Sequence, residues 1–181
     1  MLARFLAGAA CAAGVLAAVC TPAAAQSFFS SMFGSSTGRS VVSYPGGQKA
    51  GTIVINTRDR RLYLVLGNGQ ALSYGLGVGR VGFTWAGTTS VVAKKEWPSW
   101  TPPSQMLRRR PDLPRHMNGG VDNPLGARAM YLGSTLDRIH GSNEPETIGQ
   151  AVSSGCFRMT NDDVTDLYSR VSVGTPVVVK N

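Results

Sequence analysis

The residues whose types and spacing could do chemistry lie in two short runs, Arg138-Ile139-His140-Gly141 and Ser153-Ser154-Gly155-Cys156-Phe157-Arg158-Met159. The chain has three cysteines and two histidines in 181 residues. Cys11 and Cys20 fall in an N-terminal segment that reads as a signal peptide, so Cys156 is expected to be the only cysteine of the mature chain, without a disulfide partner. A free thiol has a pKa of about 8.5 and is mostly protonated at neutral pH, so an imidazole is needed to take its proton and leave a thiolate. His140 is the candidate base. Gly155 gives the backbone freedom to approach a substrate, or to turn successive N–H groups toward one point as an oxyanion hole requires. If the segment is extended, Arg158 shares a face with Cys156, where a guanidinium could hold a substrate carboxylate through paired hydrogen bonds. Alone, each of these residues has a plainer reading as a small hydrophobe, a structural histidine or a surface charge. Their combination points to a site.

His-Gly, a dozen or so residues, then Ser-x-Gly-Cys-(hydrophobic)-Arg-Met resembles the signature of the L,D-transpeptidase catalytic domain, also called the YkuD domain. The resemblance runs from about Gly51 to Lys180 and takes in Thr52-Ile53-Val54-Ile55, Arg61-Leu62-Tyr63-Leu64, Trp97-Pro98-Ser99-Trp100-Thr101-Pro102-Pro103, Asn123-Pro124-Leu125-Gly126 and Ile139-His140-Gly141-Ser142-Asn143-Glu144-Pro145. It implies a β-sandwich of mixed sheets with the Cys/His site in a groove under a loop. It also implies acyl transfer on peptidoglycan: Cys156, deprotonated by His140, attacks the third residue of a stem peptide, expels the terminal D-alanine and forms a thioester that an amine resolves. The same thiol would be a carbapenem target. In the family a backbone carbonyl just after the histidine orients it, which here points to Gly141 or Ser142. Arg158, Ser153, Ser154, Trp97 and Trp100 are the expected substrate-binding or supporting residues. One departure stands out: many members carry a second histidine two residues before the cysteine, where this chain has Ser154.

The acyl acceptor stays open among a stem amine, a lysine of an outer-membrane protein, a free D-amino acid and water. L,D-carboxypeptidase activity, D-amino acid exchange and a non-catalytic wall-binding module are therefore the alternatives. A papain-like or NlpC-like peptidase places cysteine before histidine and on a helix N-terminus, and here the order is reversed. Two histidines and one mature cysteine are too few soft ligands for a metal site, so no metal or cofactor is expected. His116, in a proline-rich stretch, matches no motif.

What must position these residues begins after residue 50. Arg4, an Ala/Leu/Val run and Ala23-Ala24-Ala25 make residues 1–25 a signal peptide and the mature protein an exported, periplasmic one. Cleavage would lower the formal charge from +8 to +7, since only Arg4 is lost. A basic exported protein suits an anionic wall polymer better than nucleic acid. Membrane contact is expected only through an uncleaved signal segment, and the protein is expected to be a monomer. Residues 26–50 read as a Ser/Gly-rich linker carrying Phe28, Phe29, Met32 and Phe33, and residues 51–181 as the catalytic domain.

Within that domain, residues 52–56 and 61–66 read as a hairpin with Leu62, Leu64 and Leu66 on its core face. Gly67-Asn68-Gly69-Gln70 supplies a tight turn into a third strand. Glycines at 75, 77 and 79 would weaken that strand unless another backbone or a ligand comes close. Another strand covers 88–97. Six prolines between 98 and 124 exclude a long helix or central strand there, and a span of this kind suits a lid or binding loop. Residues 129–132 and 135–140 resume strand patterning and deliver His140 to a strand end. A short helix is expected from Glu144-Pro145-Glu146, and a second after Thr160 or Asn161 with Val164, Leu167, Tyr168 and Val171 facing the core. A last strand closes the chain at 175–180. The fold class is mainly β, with two short helices.

Overall fold

The computed structural model describes residues 38–181. The signal segment expected at 1–25 lies outside them, as do Phe28, Phe29, Met32 and Phe33. The described residues form eleven strands: β1 (Ser40–Ser43), β2 (Ile53–Asn56), β3 (Arg61–Gly67), β4 (Gln70–Gly75), β5 (Val78–Gly79), β6 (Gly87–Glu96), β7 (Arg128–Leu132), β8 (Arg138–His140), β9 (Ala151–Ser153), β10 (Phe157–Arg158) and β11 (Pro176–Lys180). Two α-helices, α1 (Ser104–Arg109) and α2 (Asn161–Arg170), and a 3-10 turn at Pro145–Thr147 complete them.

Nine strands join in the order β1-β4-β3-β2-β11-β6-β7-β8-β10, and β5 pairs with β9 in a small second sheet. The nine-stranded sheet mixes directions: β2 with β11 and β8 with β10 are parallel and its other pairs antiparallel, while β5 and β9 run parallel. The long strand β6 divides its pairing, with residues 87–90 on β11 and 91–96 on β7. The irregularity between Val91 and Ala93 lets one sheet turn over at that strand. The two halves then enclose one core, in which Ile53, Ile55, Leu62 and Tyr74 meet Met130, Leu132, Ile139 and Phe157, all essentially without exposure. At roughly 1.5–3 kcal/mol for each large apolar side chain fully buried, this cluster is the main source of stability.

Local sequence explains the connections. Asn68 and Gly69 take positive φ, 51° and 70°, as the primed turn between β3 and β4 demands. Thr160 caps α2 by accepting the Asp163 N–H, and Val164, Leu167 and Val171 are buried beneath the helix. At the other end Lys94 donates to the carbonyls of Tyr168 and Val171 at 2.7 and 2.6 Å, satisfying groups the helix leaves open.

Four expectations are corrected. Ser40–Ser43, inside the stretch read as linker, is instead β1, because its extended backbone pairs with β4 from Ser40↔Ser73 to Ser43↔Gln70. Leu66 does not continue the core face of Leu62 and Leu64: the pairing is irregular between Val65 and Gly67, and Leu66 is exposed there. The helix expected after Glu144 is only the 3-10 turn, too short to bury a face. The first α-helix lies instead in the proline-rich stretch, where Pro103 precedes it and Pro111 follows, which limits it to six residues.

Candidate functional site

β8 and β10 are parallel neighbours at the end of the nine-stranded sheet, in the register Phe157↔Ile139 and Arg158↔His140. Alternation sends Ile139 and Phe157 into the core and places Arg138, His140, Cys156 and Arg158 on the opposite face. Cys156 lies just before β10, level with Arg138. On strand spacings of about 3.3 and 4.8 Å, its Cα is about 8 Å from that of His140, a gap that an imidazole and a thiol side chain reach across. Among the described residues no hydrogen bond joins the two side chains. The thiol lies 3.9 Å from the Leu136 carbonyl.

His140 is buried, 4% exposed. Its Nδ1 is 2.6 Å from the Gly141 carbonyl, which can only accept, so the proton sits on Nδ1 and Nε2 keeps a free lone pair. Burial pushes the imidazole down to about 4, and Arg158 and Arg138 add repulsion against its cation. At neutral pH it is therefore an uncharged base. Of the two carbonyls expected to orient it, Gly141 supplies the contact. The Ser142 hydroxyl accepts the Glu144 N–H instead, at 3.0 Å.

Burial also pushes the Cys156 thiol up. Arg138 works against this through its charge and hydrogen bonding, while Asp137 adds to the rise. The resting pair is thus thiol and neutral imidazole. Ser153, buried, holds the turn that carries the thiol: its hydroxyl donates to the Cys156 carbonyl at 2.7 Å and accepts the Gly155 N–H at 3.4 Å. Gly155 has φ 122°, and a Cβ there would meet an Asp137 carboxylate oxygen at 2.9 Å, so the turn requires glycine. Its N–H is engaged by Ser153, whereas the Ser154 and Cys156 N–H groups have no protein acceptor among the described residues.

Arg158 donates through Nη1 to Glu144 at 3.3 Å, while its Nε and Nη2 are buried without partners. Its backbone bridges Gly77, and a Cβ at Gly77 would lie 3.4 Å from that of Arg158. Gly79 likewise gives way to the Phe83 carbonyl, 2.5 Å from where its Cβ would stand. The close approach expected at these glycines is thus the β10 backbone and the loop after β5. That loop carries Phe83, whose ring lies between Arg80 and Arg109 at 4.6 and 5.6 Å. Arg109, from α1, also reaches the exposed Ser154 hydroxyl at 3.5 Å, so the proline-rich span touches the site through α1.

Trp97 and Trp100 do not join it. Trp97, with φ 40°, packs its backbone against Gly119, and Trp100 exchanges backbone hydrogen bonds with Met117 at 2.8 Å. No hydrogen bond or ring contact brings either to Cys156 or His140 among the described residues. His116 lies beside the Thr101 hydroxyl, within the same span. An open depression lined by Tyr44, Asp59, Tyr63 and Lys180 lies elsewhere and holds none of the expected site residues.

Sequence reasoning missed Arg138, Asp137 and Asn161. Arg138 is two residues from His140, so strand alternation would have found it once β10 was known to lie alongside. The Asn161 side chain accepts the Ala127 N–H at 2.9 Å and packs against Gly126 and Gly141, fixing the turn after His140. Asn161 leaves no such mark in the sequence, where it reads only as a helix cap. Among the described residues no three His, Cys, Asp or Glu side chains cluster as a metal site.

Fold and site together define a mainly β domain with a thiol and a neutral imidazole on adjacent parallel strands at a sheet edge. The chain belongs to the L,D-transpeptidase catalytic domain (YkuD) family, whose model matches residues 50–179. It is 39% identical over 134 residues to a probable L,D-transpeptidase, YbiS, of Escherichia coli, covering 69% of this chain and 43% of that protein. To the putative L,D-transpeptidase YqjB of Bacillus subtilis it is 33% identical over 133 residues, covering 70% and 69%. The chain spans less than half the length of the Escherichia coli relative. Among solved structures, an L,D-transpeptidase from Mycobacterium smegmatis superposes with TM-score 0.58 at 20% identity over 72% of this chain and 58% of that one, a likeness of fold. A Brucella melitensis protein titled a probable carnitine operon oxidoreductase is 44% identical, with TM-score 0.54, over 83% of this chain and 98% of that one.

Proposed function

We propose that this chain is a peptidoglycan L,D-transpeptidase acting through a Cys156 thioester. The observation that carries the reading is His140: buried, uncharged, and fixed by the Gly141 carbonyl so that Nε2 is its free base, on the strand beside Cys156. In this reading Nε2 takes the thiol proton as sulfur attacks the carbonyl of the third stem residue. The oxyanion forms against the Cys156 N–H. The C–N bond to the terminal D-alanine then breaks, and that amine leaves with the proton His140 had taken. An acceptor amine attacks the thioester, gives its proton to His140 and restores the thiol as the new amide forms.

Arg158 suits a substrate carboxylate, because two of its buried N–H groups lack partners and water reaches them poorly. Ser153 supports the turn, Ser154 and Arg109 lie at its rim, and Gly155 and Gly141 give the backbone its shape. Trp97 and Trp100 take no substrate role in this proposal. Export to the periplasm through residues 1–25 is part of the reading, as is a wall acceptor, whether a stem peptide or an outer-membrane protein.

Two measurements test it. Incubation with a carbapenem followed by mass analysis of the peptides should place one adduct on Cys156, and its absence would leave a wall-binding role ahead. A disaccharide-tetrapeptide assay should then give cross-linked dimers and free D-alanine, whereas tripeptide alone would make the enzyme a carboxypeptidase.

A further inference from the structure

We propose that Arg138 is a further catalytic residue, whose guanidinium stabilises the Cys156 thiolate as the proton leaves for His140. This rests on Cys156 being the nucleophile. Three observations place the group. The parallel register sets Arg138 level with Cys156 and on its face of the sheet. The guanidinium lies 5.0 Å over the Tyr131 ring, which fixes its direction. Its Nε is buried with no hydrogen-bond partner, a donor still available to an anion.

The need follows from a buried imidazole beside a half-buried thiol. Desolvation holds the thiol protonated and the imidazole uncharged, and both effects oppose moving a proton from one to the other. Something must favour sulfur bearing charge. Of the charged groups facing this space, Asp137 acts in the wrong direction. Arg158 is aligned with His140 and shares its charge with Glu144. Arg109 and Arg80 are held on Phe83 at the rim. Among them Arg138 is the cation whose charge and hydrogen bonding draw the thiol's pKa down. It also disfavours imidazolium, so a proton taken by His140 passes readily to the leaving amine. The proton count is unchanged by Arg138, which stays cationic throughout.

Alkylation of Cys156 by iodoacetamide, a neutral probe, reads thiolate directly. The full chain is followed from pH 5 to 10 by peptide mass analysis, which separates Cys156 from Cys11 and Cys20. Arg138→Met should move the alkylation profile to higher pH and slow the reaction at pH 7 about 3- to 30-fold, while Arg138→Lys should recover part of the loss. Asp137→Asn should shift the profile the other way, an opposite sign that a structural role would not produce. In the tetrapeptide assay Arg138→Met should lower kcat with little change in KM. Should Arg138→Met fold poorly, Arg138→Gln reads the same profile. A profile superimposable on the wild type, or a rise in KM alone, would overturn the proposal and make Arg138 a substrate holder or a structural residue. Because alkylation needs no peptide, a chain inactive on stem peptides would still report on Arg138.

Discussion

The charges around Asp166 and those around His140 are organised in contrary ways. Asp166 accepts from the Tyr74 hydroxyl at 2.7 Å, from Arg170 through two bonds at 2.9 Å, and pairs with Arg39 at 3.1 Å. Those hydrogen bonds, that from Arg170 first, hold its carboxyl down to about 2, while burial and then the bond to Asp166 push the Tyr74 phenol up. By contrast, His140 is held uncharged, Cys156 is held protonated, and Arg138 and Arg158 keep buried N–H groups with no acceptor. A cluster in which every charge is answered contributes stability. One with cations unanswered is arranged for an anion that arrives later, and its cost is borne by the rest of the fold.

The sharpest way to break this contrast is to remove the reacting groups. Cys156→Ser should lower acyl transfer more than about 1000-fold, and His140→Gln about 100- to 10,000-fold, both measured as D-alanine released from a tetrapeptide. Neither should abolish folding. Arg158→Met comes next: KM for a tetrapeptide should rise about 10- to 100-fold while the melting temperature stays within a few degrees, since the Glu144 pair it loses is exposed on one side. Equal losses in activity and melting temperature would erase the distinction between the two regions.

Acid unfolding separates them by pH. His140 in the fold lies at about 4 against an ordinary 6.5, so the unfolded chain binds the extra proton between those values and stability falls as pH drops through that window. The shift corresponds to about 3 kcal/mol. Asp166, at about 2 against 3.8, contributes stability above pH 4 that is lost as pH falls from about 4 to 2. Its side chain is partly open to solvent, so about 1 kcal/mol is the expected size after screening. Urea midpoints across pH 2–7 should lose the upper window in His140→Gln and the lower one in Asp166→Asn. The smallest effect concerns Asp166→Asn at neutral pH, which should cost about 1–2 kcal/mol with thioester formation unchanged.

Much of the site was legible because its chemistry is local. His140, Gly141, Gly155, Cys156 and Arg158 occupy two runs whose residue types announce their use, and the asparagine-glycine turn and the stripe of α2 follow from short-range rules. What escaped depends on distant pairing. Arg138 matters only because β10 returns beside β8, and Asn161 because α2 starts under the turn after His140. Trp97 and Trp100 could not be placed from sequence for the opposite reason: large aromatics in a proline-rich span fit a substrate groove and a loop anchor equally well, and the structure adds backbone contacts with Gly119 and Met117. Leu66 shows the limit of period-two reasoning, since an irregularity at the strand end takes it off the face that alternation assigns.

β6 has a wider consequence. Because one continuous strand is stitched to β11 at its start and to β7 at its end, neither layer has a seam along which it could peel away alone. Melting watched from the Asp166 side and from the thiol side should follow the same curve, and a lesion introduced at Val91 should loosen both ends together. The reactive edge thus borrows its rigidity from residues that never come near a substrate.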